Sequence, residues 1–134
     1  MARRLRTIAR SRGLVLLIAA DPALAQRVGA DGVHWPQRLV PAQRGPGLVT
    51  AAAHDAAGIA RAEALGADAC VLAPVLPTRS GSGRTPLGLF RASQLARNAR
   101  VPVIALGGVN AETARRLSGR GFAGLAAVEA LAAA

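Results

Sequence analysis

Three phrases of one pattern recur along the chain, and each joins a helix-like stretch through glycine to a short apolar run. They are RVGADGV, ALGADAC and GRGFAGL. Glycine readily takes the left-handed backbone conformation that ends a helix. A helix, a glycine and an apolar strand repeated in this order predict an alternating α/β chain.

Six apolar runs of strand length supply the strands of this fold. They do not alternate polar with apolar residues, which predicts strands buried on both faces, as in a parallel sheet covered by helices. The runs are residues 14–19, 32–35, 48–52, 69–73, 101–106 and 124–128.

The stretches between the runs carry helix start and stop signals. Asp21, Asp55 and Asn110 stand where a side chain can cap the first amides of a helix, and Gly29 and Gly66 stand where the first two helices would end. The first twelve residues predict one more helix on the surface, with apolar residues on one face and arginines on the other.

A barrel fits the chain better than an open doubly wound sheet, because no GxGxxG fingerprint follows the first strand. A complete (β/α) barrel needs eight strands and typically ~250 residues. With 134 residues and six runs, we expect a single α/β domain over residues 1–134. Its architecture is predicted as an incomplete TIM-type barrel of about six parallel strands with covering helices.

The charge of the chain is strongly positive, since 17 arginines stand against seven acidic residues and give a net charge of +10. This allows a basic nucleic-acid-binding module. The arginines are spread along the chain and aromatic residues for base stacking are nearly absent, so an anionic small molecule is favoured. The lone Cys70 fits a reducing cytoplasm, and no apolar run is long enough to span a membrane.

Two segments that follow strands could bind a phosphate group. Gly107 and Gly108 begin the GGVN turn, where backbone amides and a helix start can approach a ligand, although a plain turn is the alternative. The long loop after the fourth run carries Thr78, Arg79 and Ser80, and also Ser82 and Arg84, whose hydroxyl and guanidinium groups suit phosphate. A surface loop without a function is the alternative there.

Two histidines, His34 and His54, stand at the ends of neighbouring strands and could face one pocket, or they could be structural. No cluster of histidine, cysteine and carboxylate has the spacing of a metal site.

Longer segments of the sequence resemble a known family. LLIAADPALAQRVGADGVHWPQ, TAAAHDAAGIARAEALGADACVLAPVLPTRS and VPVIALGGVNAETARRLSGRGFAGLAAVEAL are similar, in order and spacing, to the thiamine phosphate synthase and TenI family. The resemblance implies a (β/α) barrel that couples hydroxymethylpyrimidine pyrophosphate to thiazole phosphate with magnesium and releases pyrophosphate. TenI relatives instead aromatise a thiazole tautomer.

The resemblance also implies site residues. His34 and Gln37 match the HLGQ phrase of the family and His54 matches its SxH phrase, so all three are expected to face the pocket. Thr78 and Ser80 match threonines of the pyrophosphate loop, and Arg79 lies between them. Gly107 and Gly108 match the glycines that receive the product phosphate. The implied ligand is thiamine phosphate or thiazole phosphate.

The sequence also departs from the family pattern. The magnesium-binding carboxylates are replaced by Ala20 and Leu39, and a lysine of the pyrophosphate loop is replaced by Gly81. We therefore expect impaired or lost catalysis, with a noncatalytic phosphate-binding pseudoenzyme as the alternative. The chain starts near the second helix of the family, so the first two strands are expected to be missing. We expect a homodimer, in which association of two copies covers the unpaired edges of the sheet.

Overall fold

Six parallel strands lie side by side in the order in which they occur in the sequence. The protein is seen in a computed structural model that describes residues 1–79 and 83–132. The strands are β1 (Leu17–Ala19), β2 (Gly32–Trp35), β3 (Leu48–Ala53), β4 (Ala69–Leu72), β5 (Val103–Leu106) and β6 (Gly124–Ala126). The prediction of an α/β chain with six parallel strands is confirmed.

Helices separate most of the strands. They are α1 (Ala2–Ser11), α2 (Pro22–Val28), α3 (Ala56–Leu65), α4 (Leu89–Asn98), α5 (Ala111–Leu117) and α6 (Glu129–Ala132), and a 3₁₀ turn spans Gln37–Leu39. Strand β1 starts three residues later than predicted, at Leu17. The reason is that the N–H of Leu14 donates to the carbonyl of Ala9 at 2.8 Å and so prolongs the turn that ends α1.

The predicted helix caps are present. Asp21 accepts a hydrogen bond from the Leu24 N–H, and Asp55 accepts one from the Gly58 N–H, each at 2.8 Å. Gly29 and Gly66 end α2 and α3 in the left-handed conformation, at φ of 66° and 71°. The capping aspartates and the terminal glycines in the sequence therefore predicted the ends of these two helices correctly.

The cap of α5 uses a residue that the sequence did not single out. The side chain of Asn110 accepts from the N–H groups of Glu112 and Thr113, and the Thr113 hydroxyl accepts from the Asn110 N–H at 2.9 Å. Thr113 thus closes the capping box.

The expectation that the strands are buried on both faces is wrong. The face that carries Ala51, Cys70 and Val103 packs against helices and is almost fully buried. On the opposite face Ala52, Val71 and Ile104 stay partly exposed. Sequential strand order with right-handed crossovers puts the connecting helices on one side, which leaves the other face uncovered.

The two ends of the sheet are open. Within residues 1–79 and 83–132, no pairing joins β1 to β6. On α1 only Ala9 is buried, whereas Leu5 and Ile8 are 48% and 53% exposed, so the predicted apolar face is only partly covered. No helix among these residues combines the length and the apolar character needed to cross a membrane.

Candidate functional site

A cavity of about 900 Å³ opens at the carboxyl ends of β4, β5 and β6. Active sites of parallel α/β folds lie at this edge because the loops that follow the strands converge there. Its lining includes the following polar and charged residues and glycines: His54, Thr78, Arg79, Arg84, Gly107, Gly108, Asn110, Thr113 and Arg116. This cavity, called the larger cavity below because a smaller one adjoins it, brings Thr78, Arg79, Gly107, Gly108 and His54 together.

The floor of the larger cavity is the turn after β5. Gly107 and Gly108 have φ of 99° and 65°, which disfavours any other residue. A Cβ on Gly107 would lie 2.8 Å from the Cα of Pro74, and one on Gly108 would lie 2.4 Å from the Pro77 carbonyl oxygen. The glycines are thus required both by the turn and by the close approach of the loop after β4.

Hydrogen bonds join this turn to the loop after β4. The N–H of Val75 donates to the Leu106 carbonyl at 2.9 Å, and the N–H of Leu76 donates to the Gly107 carbonyl at 3.2 Å. Thr113 donates from its hydroxyl to the Gly108 carbonyl at 2.7 Å. None of the backbone hydrogen bonds among the described residues uses the N–H of Gly107 or Gly108 as donor. Among the described residues, the N–H groups of both glycines are therefore left for another acceptor such as an anion.

The lining of the larger cavity is positively charged. Arg79, Arg84 and Arg116 contribute guanidinium groups, and none of the described lining residues is an aspartate or glutamate. No carboxylate in the described part of the chain forms an ion pair with these three arginines. Positive side chains and free amides around one space are the donor set that binds phosphate.

His54 lies at the boundary between this cavity and a second one. Its ring Nδ1 is 2.7 Å from the Ala73 carbonyl oxygen. Because a carbonyl only accepts, Nδ1 carries the proton, and Nε2 of the neutral ring is an acceptor. His54 can therefore offer Nε2 to a ligand as an acceptor.

Gln37 adjoins the site, and its side-chain amide forms hydrogen bonds within the protein. Its Oε1 accepts from the His54 N–H at 2.7 Å, and its Nε2 lies 3.4 Å from Oδ1 of Asp55. A Cβ on Gly58 would approach Gln37 Oε1 to 2.5 Å, so glycine at 58 makes room for the amide. Gln37 thus fixes the 3₁₀ turn against the start of α3.

The smaller cavity, of about 410 Å³, adjoins the larger one. It is lined by Pro36, Gln37, Arg38, Leu39, His54 and Arg84. His54 and Arg84 line both spaces. The two cavities therefore form neighbouring compartments along the carboxyl edge of the sheet.

His34 lies lower in the sheet and lines neither cavity. Its Nδ1 is 2.8 Å from the hydroxyl of Thr50, its partner in the β2–β3 register. Thr50 precedes His54 by four residues, so His34 lies roughly 13 Å below the rim at 3.3 Å per residue. Burial lowers the pKa of His34, which favours the neutral ring.

Side chains that can bind a metal are dispersed over the described residues. No group of three or more histidine, cysteine, aspartate or glutamate side chains comes together among residues 1–79 and 83–132. Asp21, the carboxylate nearest to the expected metal ligands in the sequence, caps α2. Ser80 and Gly81 lie outside the described residues.

Sequence reasoning missed two arginines of the cavities. Arg116 lies on α5, three residues after Thr113, and this spacing puts both on one helix face. Arg38 lies in the 3₁₀ turn after β2. For Arg38 the available signal was its position just beyond the end of β2. For Arg116 it was its location on α5, the helix that begins at the functional edge.

Comparison with known proteins gives consistent results. The family model described as thiamine monophosphate synthase matches residues 1–131. The chain is 29% identical to the thiamine-phosphate synthase of Bacillus velezensis, over 97% of this chain and 61% of that protein. It is 35% identical to the thiamine-phosphate synthase of Chlorobium luteolum, over 91% of this chain and 61% of that protein.

The fold also matches a solved structure. Thiamine phosphate pyrophosphorylase from Pyrococcus furiosus superposes with a TM-score of 0.76 at 24% identity, over 95% of this chain and 63% of that one. The chain thus spans a little over three fifths of the length of these relatives. From the match of the family model over nearly the whole chain, we conclude that this chain belongs to the thiamine monophosphate synthase family.

Proposed function

We propose that the larger cavity binds the phosphate group of thiamine phosphate or thiazole phosphate. The protein would thereby act in thiamine phosphate synthesis, the coupling of hydroxymethylpyrimidine pyrophosphate with thiazole phosphate. The observation that carries the proposal is the cavity lined by three arginines, without a carboxylate among its described lining residues, above Gly107 and Gly108. Family membership and the names of the relatives support the choice of ligand.

Different residues of the chain would contact the phosphate and the organic part of the ligand. Gly107, Gly108 and Arg116 line the cavity on the β5 side and would donate to the phosphate from there, and Arg79 and Arg84 would donate from the loop after β4. Pro74, Leu76 and other apolar residues line the rest of the cavity and can cover the organic part of the ligand.

Calorimetric titration tests the proposal. Thiamine phosphate should bind, and thiamine, which lacks the phosphate, should bind far more weakly. Arg116→Gln removes one charge-assisted contact and should weaken thiamine phosphate binding about tenfold at low salt. Arg115→Gln is the matched control, because Arg115 lies on the same helix but does not line the cavity. Equal binding of thiamine and thiamine phosphate would contradict the proposal.

Turnover needs a separate measurement. Hydroxymethylpyrimidine pyrophosphate, thiazole phosphate and magnesium are incubated with an excess of the protein, and thiamine phosphate is quantified. Formation of product supports catalysis by this chain. Binding of thiamine phosphate without turnover supports a noncatalytic phosphate-binding protein instead.

We further propose that two copies associate through the open ends of the sheet. Large apolar side chains are exposed at both ends: Leu5, Ile8, Leu14 and Val15 near β1, and Leu125, Val128 and Leu131 near β6. Apolar surface next to a strand edge favours association. Light scattering should show a dimer that the double variant Ile8→Ser with Leu14→Ser weakens. Phe90→Ser on α4, 75% exposed in the wild-type protein, is the control. A monomer at micromolar concentration would overturn this proposal.

The compartment we propose is the cytoplasm. Cys70 is a free thiol buried in the core, and a cysteine without a disulfide partner is usual in a reducing compartment. Cell fractionation with an antibody to the protein tests this, and enrichment outside the cytoplasmic fraction would contradict it.

A further inference from the structure

We propose that Thr113 is a positioning residue of the larger cavity, whose hydroxyl orients the peptide between Gly108 and Val109 so that the Val109 N–H can donate to an anion. This inference rests on the phosphate site proposed above. It adds to that site a third backbone donor and the side chain that orients it.

The Thr113 hydroxyl is already engaged by the turn after β5. It donates its one proton to the Gly108 carbonyl at 2.7 Å and accepts the N–H of Asn110 at 2.9 Å. Two other oxygens, Oδ1 and the carbonyl oxygen of Asn110, are farther from it, at 3.2 and 3.5 Å. The hydroxyl proton is therefore committed to the turn and is not left for a ligand.

The hydrogen bond from Thr113 fixes the orientation of one peptide unit. A trans peptide is planar, with its C=O and N–H pointing in opposite directions, so a Gly108 carbonyl held toward Thr113 turns the next N–H away from α5. This N–H belongs to Val109, which lines the larger cavity. In the described part of the chain, no backbone carbonyl accepts it. The Val109 N–H is thus left for an anion in this cavity.

The two glycines explain why the peptide has to be held. Gly108 has φ of 65°, and glycine changes its backbone conformation more readily than other residues. The peptide before Gly108 is fixed from the other side, because the Leu76 N–H donates to the Gly107 carbonyl at 3.2 Å. The Gly108 carbonyl accepts from Thr113 alone among the described residues. Without the hydroxyl this peptide could rotate and turn its carbonyl oxygen toward the anion.

The start of α5 does not replace these donors. Oδ1 of Asn110 accepts the N–H groups of Glu112 and Thr113, each at 2.9 Å. The N–H of Asn110 is itself bound to the Thr113 hydroxyl. Because the capping box uses these three amides, a phosphate above the turn depends on the N–H groups of the turn itself.

Calorimetric titration of orthophosphate and of thiamine phosphate into the whole chain at low salt tests the inference. Thr113→Val keeps the shape of the side chain without its hydroxyl, and it should weaken the binding of both compounds about tenfold. Thr113→Ser retains the hydroxyl and should stay within about twofold of the wild-type affinity. Asp21→Ala, which removes the side-chain cap of α2 outside both cavities, is the control for lost stability. It should lower the denaturation midpoint and leave both affinities unchanged.

The amide signal of Val109 in nuclear magnetic resonance spectra gives a readout that lost stability alone would not change. Orthophosphate should shift this signal in the wild-type protein and in Thr113→Ser, but not in Thr113→Val. Wild-type affinity in Thr113→Val, or an equal loss of affinity in Thr113→Ser, overturns the inference.

The two probes separate this inference from the proposed function. Orthophosphate binding that depends on the Thr113 hydroxyl, together with equal affinities for thiamine and thiamine phosphate, would contradict the proposed function alone. Preference for thiamine phosphate over thiamine that persists unchanged in Thr113→Val would contradict this inference alone. A wild-type protein that binds neither phosphate compound would contradict both.

Discussion

Arginines at the two edges of the sheet differ in what they contact. At the amino ends of the strands, three arginines are paired with acids: Arg6 with Asp31, Arg44 with Asp68, and Arg100 with Glu63. At the carboxyl ends, the arginines of the two cavities have no acidic partner among the described residues. The same residue type thus stabilises the fold at one edge and is available to a ligand at the other.

The pair of Arg44 and Asp68 shows how the amino edge is held. Arg44 donates to both carboxylate oxygens of Asp68, at 2.7 and 3.1 Å, and to the Gly47 carbonyl at 3.0 Å. Asp68 also accepts the N–H of Val49 at 2.8 Å. The hydrogen bond from Arg44, followed by that from Val49, lowers the pKa of Asp68. A loop, β3 and the start of β4 are joined by one carboxylate.

The largest expected effect compares two glycines, one from each edge. Gly66 and Gly108 have φ of 71° and 65°, but only a Cβ on Gly108 meets other atoms. Gly66→Ala should cost about 1–2 kcal/mol through backbone strain alone. Gly108→Ala should cost about 1–3 kcal/mol more, because the loop after β4 must move. Urea denaturation measures the free energy of unfolding of both variants. Equal losses would show that the loop after β4 moves without an energetic cost.

The second effect compares two arginines. Arg44→Gln should destabilise the fold by roughly 1 kcal/mol, a modest value because the pair is partly exposed and screened by solvent. Arg116→Gln should leave the free energy of unfolding unchanged within about 0.5 kcal/mol, because it has no acidic partner to lose. The Arg44 effect should shrink at high salt. Similar destabilisation by both variants would contradict the stated difference between the arginines of the two sheet edges.

The smallest effect concerns His34, which lies between the edges. Its pKa is lowered by burial, so the unfolded chain binds a proton more readily than the folded one. Stability should therefore fall as the pH drops below about 6.5, the usual pKa of histidine, and should level off below the folded pKa. His34→Gln should flatten this dependence in denaturation series between pH 7.5 and 5.5. An unchanged slope would locate the titrating group elsewhere.

The sequence predicted the elements better than their contacts. Asp21 and Gly29 act within their own helix, so local patterns were enough to place α2. The start of β1 was missed because the N–H of Leu14 bonds to Ala9 in the preceding helix. The uncovered face of the sheet was missed because apolar runs do not show which side the helices take.

The candidate site was predicted only in part, because local patterns are visible in the sequence whereas contacts between distant residues are not. The turn at Gly107 and Gly108 has a local signature, and the cavity forms above it. The link from Gln37 to His54 joins residues 17 apart, and the bond of Arg44 to Asp68 joins residues 24 apart. Such partners become neighbours only once the strands are paired, so spacing in the sequence does not identify them.

The chain-ordered sheet also has a kinetic consequence. Each strand pairs only with the strands that precede and follow it, so the sheet forms a linear array. Pairing each strand with its neighbour in the sequence closes shorter loops than any other order of these strands would, which lowers the entropic cost of each pairing. If β1 frays, only β2 loses a pairing partner. The end of the molecule that carries Gly107 and Gly108 is thus insulated from partial unfolding at the other end.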